Sequence, residues 1–217
     1  MRARRFVSFL LVLSGVTLLA MAGRHYWRGF EAQEQGKRQW EERRIAAPPT
    51  LPPPLLSPRE NPGIEGQAQI APTPAPSYPY GQPVARLRIP SARIDTVVFG
   101  GADQASLEKG PGHLPGSELP GEDTGRGNCV ITGHRDSHFR TLGWLRKGNR
   151  IDLETPSGET AAYEVVSREI VNPDAVRVLA PTAKPRLTLI TCYPFNYVGS
   201  APKRLVVVAE PVPRHRS

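Results

Sequence analysis

Leu187-Thr188-Leu189-Ile190-Thr191-Cys192 and Arg204-Leu205-Val206-Val207-Val208, joined by the eleven residues Tyr193 to Lys203, are the stretches from which the rest can be read. Both are β-type runs rich in branched side chains; the first ends in a cysteine and the second opens with an arginine. If the two strands pair antiparallel, the end of one lies beside the start of the other, and Cys192 and Arg204 become neighbours. A guanidinium beside a thiol lowers the thiol pKa and offers five fixed donors. It can also stabilise the oxyanion formed when the thiol attacks a carbonyl. An equally available reading is that Arg204 guards a strand end against edge-to-edge aggregation.

The same texture extends upstream. Val84–Ile89, Ile94–Phe99, Asn128–Thr132, Arg150–Leu153, Ala161–Val171, Arg186–Thr191 and Leu205–Ala209 are short β-type runs, most of them separated by Gly, Pro, Asn or Asp. Strands this short and this closely spaced predict an all-β barrel or sandwich. Short helices are expected at Asp103–Lys109 and Phe139–Leu145. There is no internal repeat.

A thiol nucleophile needs an acid/base partner to protonate the leaving amine. Of five histidines, His25 lies near the N-terminal apolar run, His215 in the tail and His113 in a Gly/Pro-rich loop. His134 directly follows a strand, after Gly133, which permits close backbone approach; Asp136, two residues on, is a candidate to orient its ring. His138 reads as a surface or loop histidine.

Only two cysteines occur, Cys129 and Cys192. In an exported protein an even count suggests a disulfide. Side chains alternate along a strand, so Cys129, five residues before His134, faces away from any site that uses His134. Cys129 therefore reads as a small buried hydrophobe. The same parity weakens a metal site built from Cys129, His134 and His138; no CxxC or HExxH occurs, and no metal or cofactor is expected.

The formal net charge is +8, but residues 81–210 hold 16 Lys+Arg against 14 Asp+Glu. Without a basic stripe interleaved with aromatics, nucleic acid is not the expected partner. Twelve of the 24 prolines fall between Pro48 and Pro83, a density that excludes helix and central strand and reads as a semi-rigid spacer. Arg2, Arg4 and Arg5 precede the uncharged run 6–23, about 27 Å long as a helix. Tyr26 and Trp27 suit an interface, and the arginines favour a cytoplasmic N-terminus. Ala20-Met21-Ala22 offers a signal-peptide cleavage site, yet the run exceeds most signal cores, and the expectation is a retained anchor. The polar segment 24–45 reads as solvated.

Three motifs together resemble one family. Thr188-Leu189-Ile190-Thr191-Cys192 looks like the TLxTC signature of sortases, Gly133-His134-Arg135 like that family's histidine motif, and Arg204 stands where its arginine stands. The loop Gly110–Ser117 and the layout of anchor, spacer and β domain are similar too. Tyr193-Pro194-Phe195-Asn196-Tyr197 after the cysteine resembles class D sortases, including a proteobacterial type.

The resemblance implies an eight-stranded sortase-type β-barrel and a membrane-anchored cysteine transpeptidase acting at an LPxTG-like sorting signal. Cys192 would be the nucleophile, His134 the acid/base and Arg204 the oxyanion holder. Partners would be secreted proteins with that C-terminal signal and an amine acceptor, a cell-wall precursor or a pilin lysine. The chain then divides into a basic cytoplasmic end (1–5), a membrane span (6–23), a polar juxtamembrane segment (24–45), a Pro-rich linker (46–82), an extracytoplasmic catalytic domain (83–210) and a tail (211–217). The linker reads as a reach device holding the domain off the bilayer. Alternatives are a purely hydrolytic thiol peptidase and a non-catalytic anchored β-domain with its cysteines bridged. An L,D-transpeptidase is disfavoured, because no SxGCR-like pattern occurs.

Overall fold

The alternating apolar residues of the two opening strands do face a single interior. Residues 2–46, 80–118, 127–155 and 157–213 are described in this computed structural model. In chain order they form α1 (Arg2–Ala46), β1 (Pro83–Ile89), β2 (Ile94–Gly100), α2 (Gln104–Lys109), β3 (Gly112–His113), β4 (Asn128–Gly133), β5 (Arg150–Glu154), β6 (Thr160–Val171), β7 (Arg186–Tyr193) and β8 (Lys203–Pro211). The strands close into a barrel in the order β1-β2-β3-β4-β7-β8-β6-β5. Of the two expected architectures, barrel and sandwich, the chain adopts the eight-stranded barrel. Closure leaves no long open edge to template aggregation.

The interior takes alternate residues from β4, β7 and β8. Cys129 and Ile131 of β4, Leu187 and Leu189 of β7, and Leu205, Val207 and Ala209 of β8 belong to one buried cluster with Leu87, Ile89 and Leu153. Each large aliphatic side chain so buried contributes roughly 1.5–3 kcal/mol. The opposite faces of β4, β7 and β8 are therefore free to carry chemistry.

Two expectations are corrected. His113, assigned to a loop, lies in β3, a two-residue strand that pairs with β2 and β4 and completes the ring. Two residues are too few to show a period. The helix expected over Phe139–Leu145 shrinks to a single 3-10 turn, Leu142–Trp144. Gly143 sits in that turn because a Cβ there would come 2.7 Å from the Phe195 ring.

The larger correction concerns α1. The segment 24–45, expected to be solvated, lays one face on the barrel. β3 covers only the last two residues of β2, so Val97, opposite Arg86 of β1 on one side, has no strand partner on the other. The Gln33 side-chain amide fills that place. Its Oε1 accepts from Val97 N (3.0 Å) and Thr96 Oγ1 (2.8 Å), and its Nε2 donates to Val97 O (3.2 Å) and Lys109 O (2.8 Å). One turn on, Gly36 admits the Phe99 ring, which a Cβ would approach to 2.8 Å. Trp40, fully buried, closes the cluster with Val97 and Phe99. Arg86 of β1 holds Asp95 through two hydrogen bonds and reaches Glu41 of α1 at 3.1 Å.

Along the other half of α1 the large apolar side chains that are described face outward. Phe9, Leu10, Leu11, Val12, Leu13, Val16, Leu18 and Leu19 are all exposed. Among the described residues no helix is long and apolar enough to cross a membrane. Within the expected span, the side chains of Phe6, Val7 and Ala22 lie outside the described set. Most of the Pro-rich linker, 47–79, lies outside the described residues as well, as do 214–217 with His215.

Candidate active site

Register, rather than any single residue, assembles the site. β4 runs parallel to β7 with Gly133 opposite Thr191, and β7 runs antiparallel to β8 with Cys192 opposite Arg204. Extending the first ladder by one residue sets His134 beside Cys192. His134, Cys192 and Arg204 thus occupy one row across three adjacent chains, about 4.7–4.9 Å apart from strand to strand. Alternation puts Cys192 and Arg204 on the outer face, and both are half-buried. The structure brings together all three residues singled out from sequence.

Side chains on the inner face lock that row. Thr191, 1% exposed, donates to the Gly133 carbonyl at 2.7 Å, cross-linking the ends of β4 and β7 immediately before His134 and Cys192. The sequence offered no reason to separate this threonine from the rest of its motif. Gly133 is glycine because the Phe139 ring lies against its Cα, 2.8 Å from where a Cβ would be. Phe139 N in turn donates to the His134 carbonyl at 3.0 Å, folding the segment after the histidine back as a turn. No hydrogen bond joins Asp136 to His134 among the described residues.

Arg204 is held by backbone alone. Its Nη1 donates to the carbonyls of Ala201 (3.1 Å) and Lys203 (2.9 Å). Among the described residues its Nε and Nη2 make no hydrogen bond and it joins no ion pair, so donors remain for a developing oxyanion.

The two cysteines are separated as strand parity requires. Cys129 is 2% exposed inside the barrel, Cys192 lies on the outer face, and both thiols are free. The bridged reading is thereby overturned. Burial, with the nearby Glu118 carboxylate, pushes the Cys129 thiol far up, so it is inert. Among the described residues no group of three or more His, Cys, Asp or Glu is placed to hold a metal.

His113 serves structure. It is buried, and its Nε2 meets the Glu118 carbonyl at 2.7 Å and Ser117 Oγ at 3.0 Å, pinning the loop after β3. His138 is also largely buried. Desolvation first, then repulsion from His134, pulls it down to about 4, against a smaller upward pull from Asp136. A histidine depressed in the folded state favours folding only while neutral. The stability it contributes is present above pH ~6.5 and is lost as pH falls from there toward 4. A shift of this size is worth about 3 kcal/mol. Denaturant melts at pH 7 and pH 5 are expected to show acid destabilisation in the wild type and less in His138→Asn; equal losses would mean that His138 is not the group responsible.

Beside Arg204 lies a groove of about 190 Å³ on the outer face. Its floor is Val130, Thr132, Ile190 and Val206, and its far wall is the 3-10 turn Val176–Leu179. Asn128 holds that turn in place. Its Nδ2 donates to the carbonyls of Val178 (3.0 Å) and Ala180 (3.2 Å), while its Oδ1 accepts from Thr188 at 2.6 Å.

A family model described as Sortase domain matches residues 87–212. Sortase D of Bacillus subtilis (strain 168) is 31% identical over 211 residues, covering 96% of this chain and 99% of that protein. Sortase A from Corynebacterium diphtheriae superposes with a TM-score of 0.56 at 34% identity, over 62% of this chain and 63% of that one. A Clostridium perfringens Sortase D5 transpeptidase superposes with a TM-score of 0.59 over 86% of this chain and 99% of that one; at 20% identity, that likeness speaks to fold alone.

Proposed function

Because this chain belongs to the sortase family and is a cysteine transpeptidase, we propose that Cys192, His134 and Arg204 carry its reaction, at an LPxTG-like sorting signal, from a membrane anchor. The observation that carries this is the single row made by the two registers, Gly133 opposite Thr191 and Cys192 opposite Arg204.

The steps follow from the row. Cys192 Sγ attacks the Thr carbonyl of the signal, and the charge that forms on its oxygen takes hydrogen bonds from the free donors of Arg204. As the Thr–Gly bond breaks, protonated His134 gives its proton to the departing glycine amine, leaving a thioester on Cys192. An acceptor amine then attacks that carbonyl, loses a proton to His134, and the thiolate leaves. Two acyl transfers replace one direct amide exchange. The groove beside Arg204, floored by Val130, Ile190 and Val206, suits the apolar leading residues of such a signal. The acceptor is a cell-wall precursor amine or a pilin lysine.

The exposed apolar side chains on α1 support the anchor. They cover the helix all round with nothing packed on them, the pattern of a segment whose solvent is lipid. With the basic end cytoplasmic, the barrel lies outside the cell membrane.

The test incubates the full-length enzyme in detergent with an LPxTG-type peptide library, with and without an amine acceptor. Mass spectrometry is expected to find an acyl adduct on Cys192 and amine-dependent product. Hydrolysis unaffected by amine would make the protein a thiol peptidase, and no adduct from any peptide would sink the sorting-signal reading.

A further inference from the structure

Nine residues without regular structure, 194–202, join β7 to β8. They start two residues after Cys192 and stop two before Arg204, so their path helps decide where both groups stand. Three contacts hold that path. Near the start, Phe195 packs edge-on against the Tyr193 ring, centroids 6.1 Å apart, and lies on Gly143. Near the end, the Ala201 carbonyl accepts from Arg204 Nη1.

The middle contact comes from Arg135, the residue after His134. Its Nη2 donates to the carbonyls of both Tyr197 (2.7 Å) and Gly199 (2.9 Å), and its guanidinium carbon lies 5.9 Å from the Tyr197 ring centroid. Gly199 sits at φ 95°, a backbone region closed to most other residues, within the stretch being gripped. The Nη1 of Arg135 is buried with no partner. A buried donor left unpaired is costly, so this arginine is not retained for solubility. A lysine supplies one compact ammonium, without the planar fork that meets two carbonyls while stacking on a ring.

A continuous physical path results. His134 is bonded to Arg135; Arg135 grips 197 and 199; the same loop presents the Ala201 carbonyl; and that carbonyl, with Lys203 O, is what orients Arg204. We propose that Arg135 is a positioning residue for the transfer reaction, holding the Arg204 guanidinium in line with His134 through the β7–β8 loop. The inference rests on the reading of Arg204 as the oxyanion holder. Arg204 borders the groove, but the apolar floor of Val130, Ile190 and Val206 lies off this path, so losing the clamp should slow acylation far more than it weakens capture of the peptide.

The test compares the full-length wild type with Arg135→Ala, Arg135→Lys and Tyr197→Ala, with Arg204→Lys, and with the double variant Arg135→Ala/Arg204→Lys. Acylation of an LPxTG-type peptide is followed for each. Arg135→Ala and Arg135→Lys are expected to lower kcat about 10- to 100-fold with KM within about threefold, and Tyr197→Ala to do the same more weakly. In the Arg204→Lys background, adding Arg135→Ala should lower the rate less than about threefold, since the two residues act on one path. Hydrogen exchange, which needs no substrate, should rise at least about tenfold at the amides of 197–201 in Arg135→Ala, while β7 and β8 stay protected. Wild-type kcat in both Arg135 variants, equal fold-losses in the two backgrounds, or unchanged exchange in the loop would each overturn the proposal. If Arg135→Ala fails to fold, Arg135→Lys and Tyr197→Ala carry the same test. Full activity in Arg204→Lys would instead overturn the oxyanion reading.

Discussion

The full-length enzyme bearing Cys192→Ala is expected to lose at least about 10⁴-fold in kcat and to form no acyl adduct, while Cys129→Ala stays within about twofold of wild type. The first figure follows from removing the proposed nucleophile, which would act as a unit with its acid/base; what would survive is binding and oxyanion stabilisation. The second follows from position. Cys129 faces the barrel interior, 2% exposed, on the opposite side of the sheet from Cys192. Its loss removes a small apolar group and costs about 1 kcal/mol in stability, with none of the reacting atoms disturbed. Alkylation of the native wild type should therefore label one thiol, and unfolding should release a second. An adduct surviving in Cys192→Ala, or an inactive but folded Cys129→Ala, would mean that the wrong sulfur has been assigned.

Trp40→Ala is expected to cost about 3 kcal/mol, at the lower end for a fully buried tryptophan because its Nε1 already lacks a partner. The cluster it leaves, Val97 and Phe99, belongs to the outer side of β2 and not to the main core. The loss should accordingly appear as local release of α1 before the barrel melts. Gln33→Ala strips partners from Val97 N and O and from Thr96 Oγ1, costing about 1–3 kcal/mol by the same route. Hydrogen exchange read at the Val97 amide distinguishes the outcomes. Early exchange there, with Leu189 and Val207 still protected, is the expected result. Simultaneous exchange throughout would make α1 part of the barrel's cooperative unit.

What sequence reading reached, and what it did not, divides along a physical line. Strand alternation is a local property, so the opposite facing of Cys129 and His134 was legible, as was the meeting of Cys192 and Arg204 across an antiparallel pair. The place of His134 in that row depends on a parallel pairing of β4 with β7, which no local pattern encodes; the motif resemblance supplied it. Thr191 bonds one distant carbonyl and Arg135 two, and their residue types alone say nothing of partners. The docking face of α1 was hidden for a different reason. Gln33, Gly36 and Trp40 stand at helical spacing but include only one apolar residue, so the stripe carries no hydrophobic signal. Trp40 and Gly36, set among the charged and polar residues of 31–44, were the available hints.

The grip of the barrel on α1 also bears on what the proline-rich stretch would be asked to do. In the proposed anchored state, only six helical steps, from Gly23 to Gly29, separate the lipid-facing end of the helix from the start of its footing on the barrel domain, where a Cβ on Gly29 would lie 3.2 Å from the Glu108 carbonyl, a rise of about 9 Å. The domain then sits low, close over the bilayer, on a stiff stem that fixes its heading as well as its altitude. On that geometry the height of the domain would be set by the stem, without calling on the proline-rich linker. Shortening it modestly should leave processing in cells untouched, whereas a break in the stem would let the site drift and swivel. The enzyme is in effect aimed, and its partners must come to the place where it points.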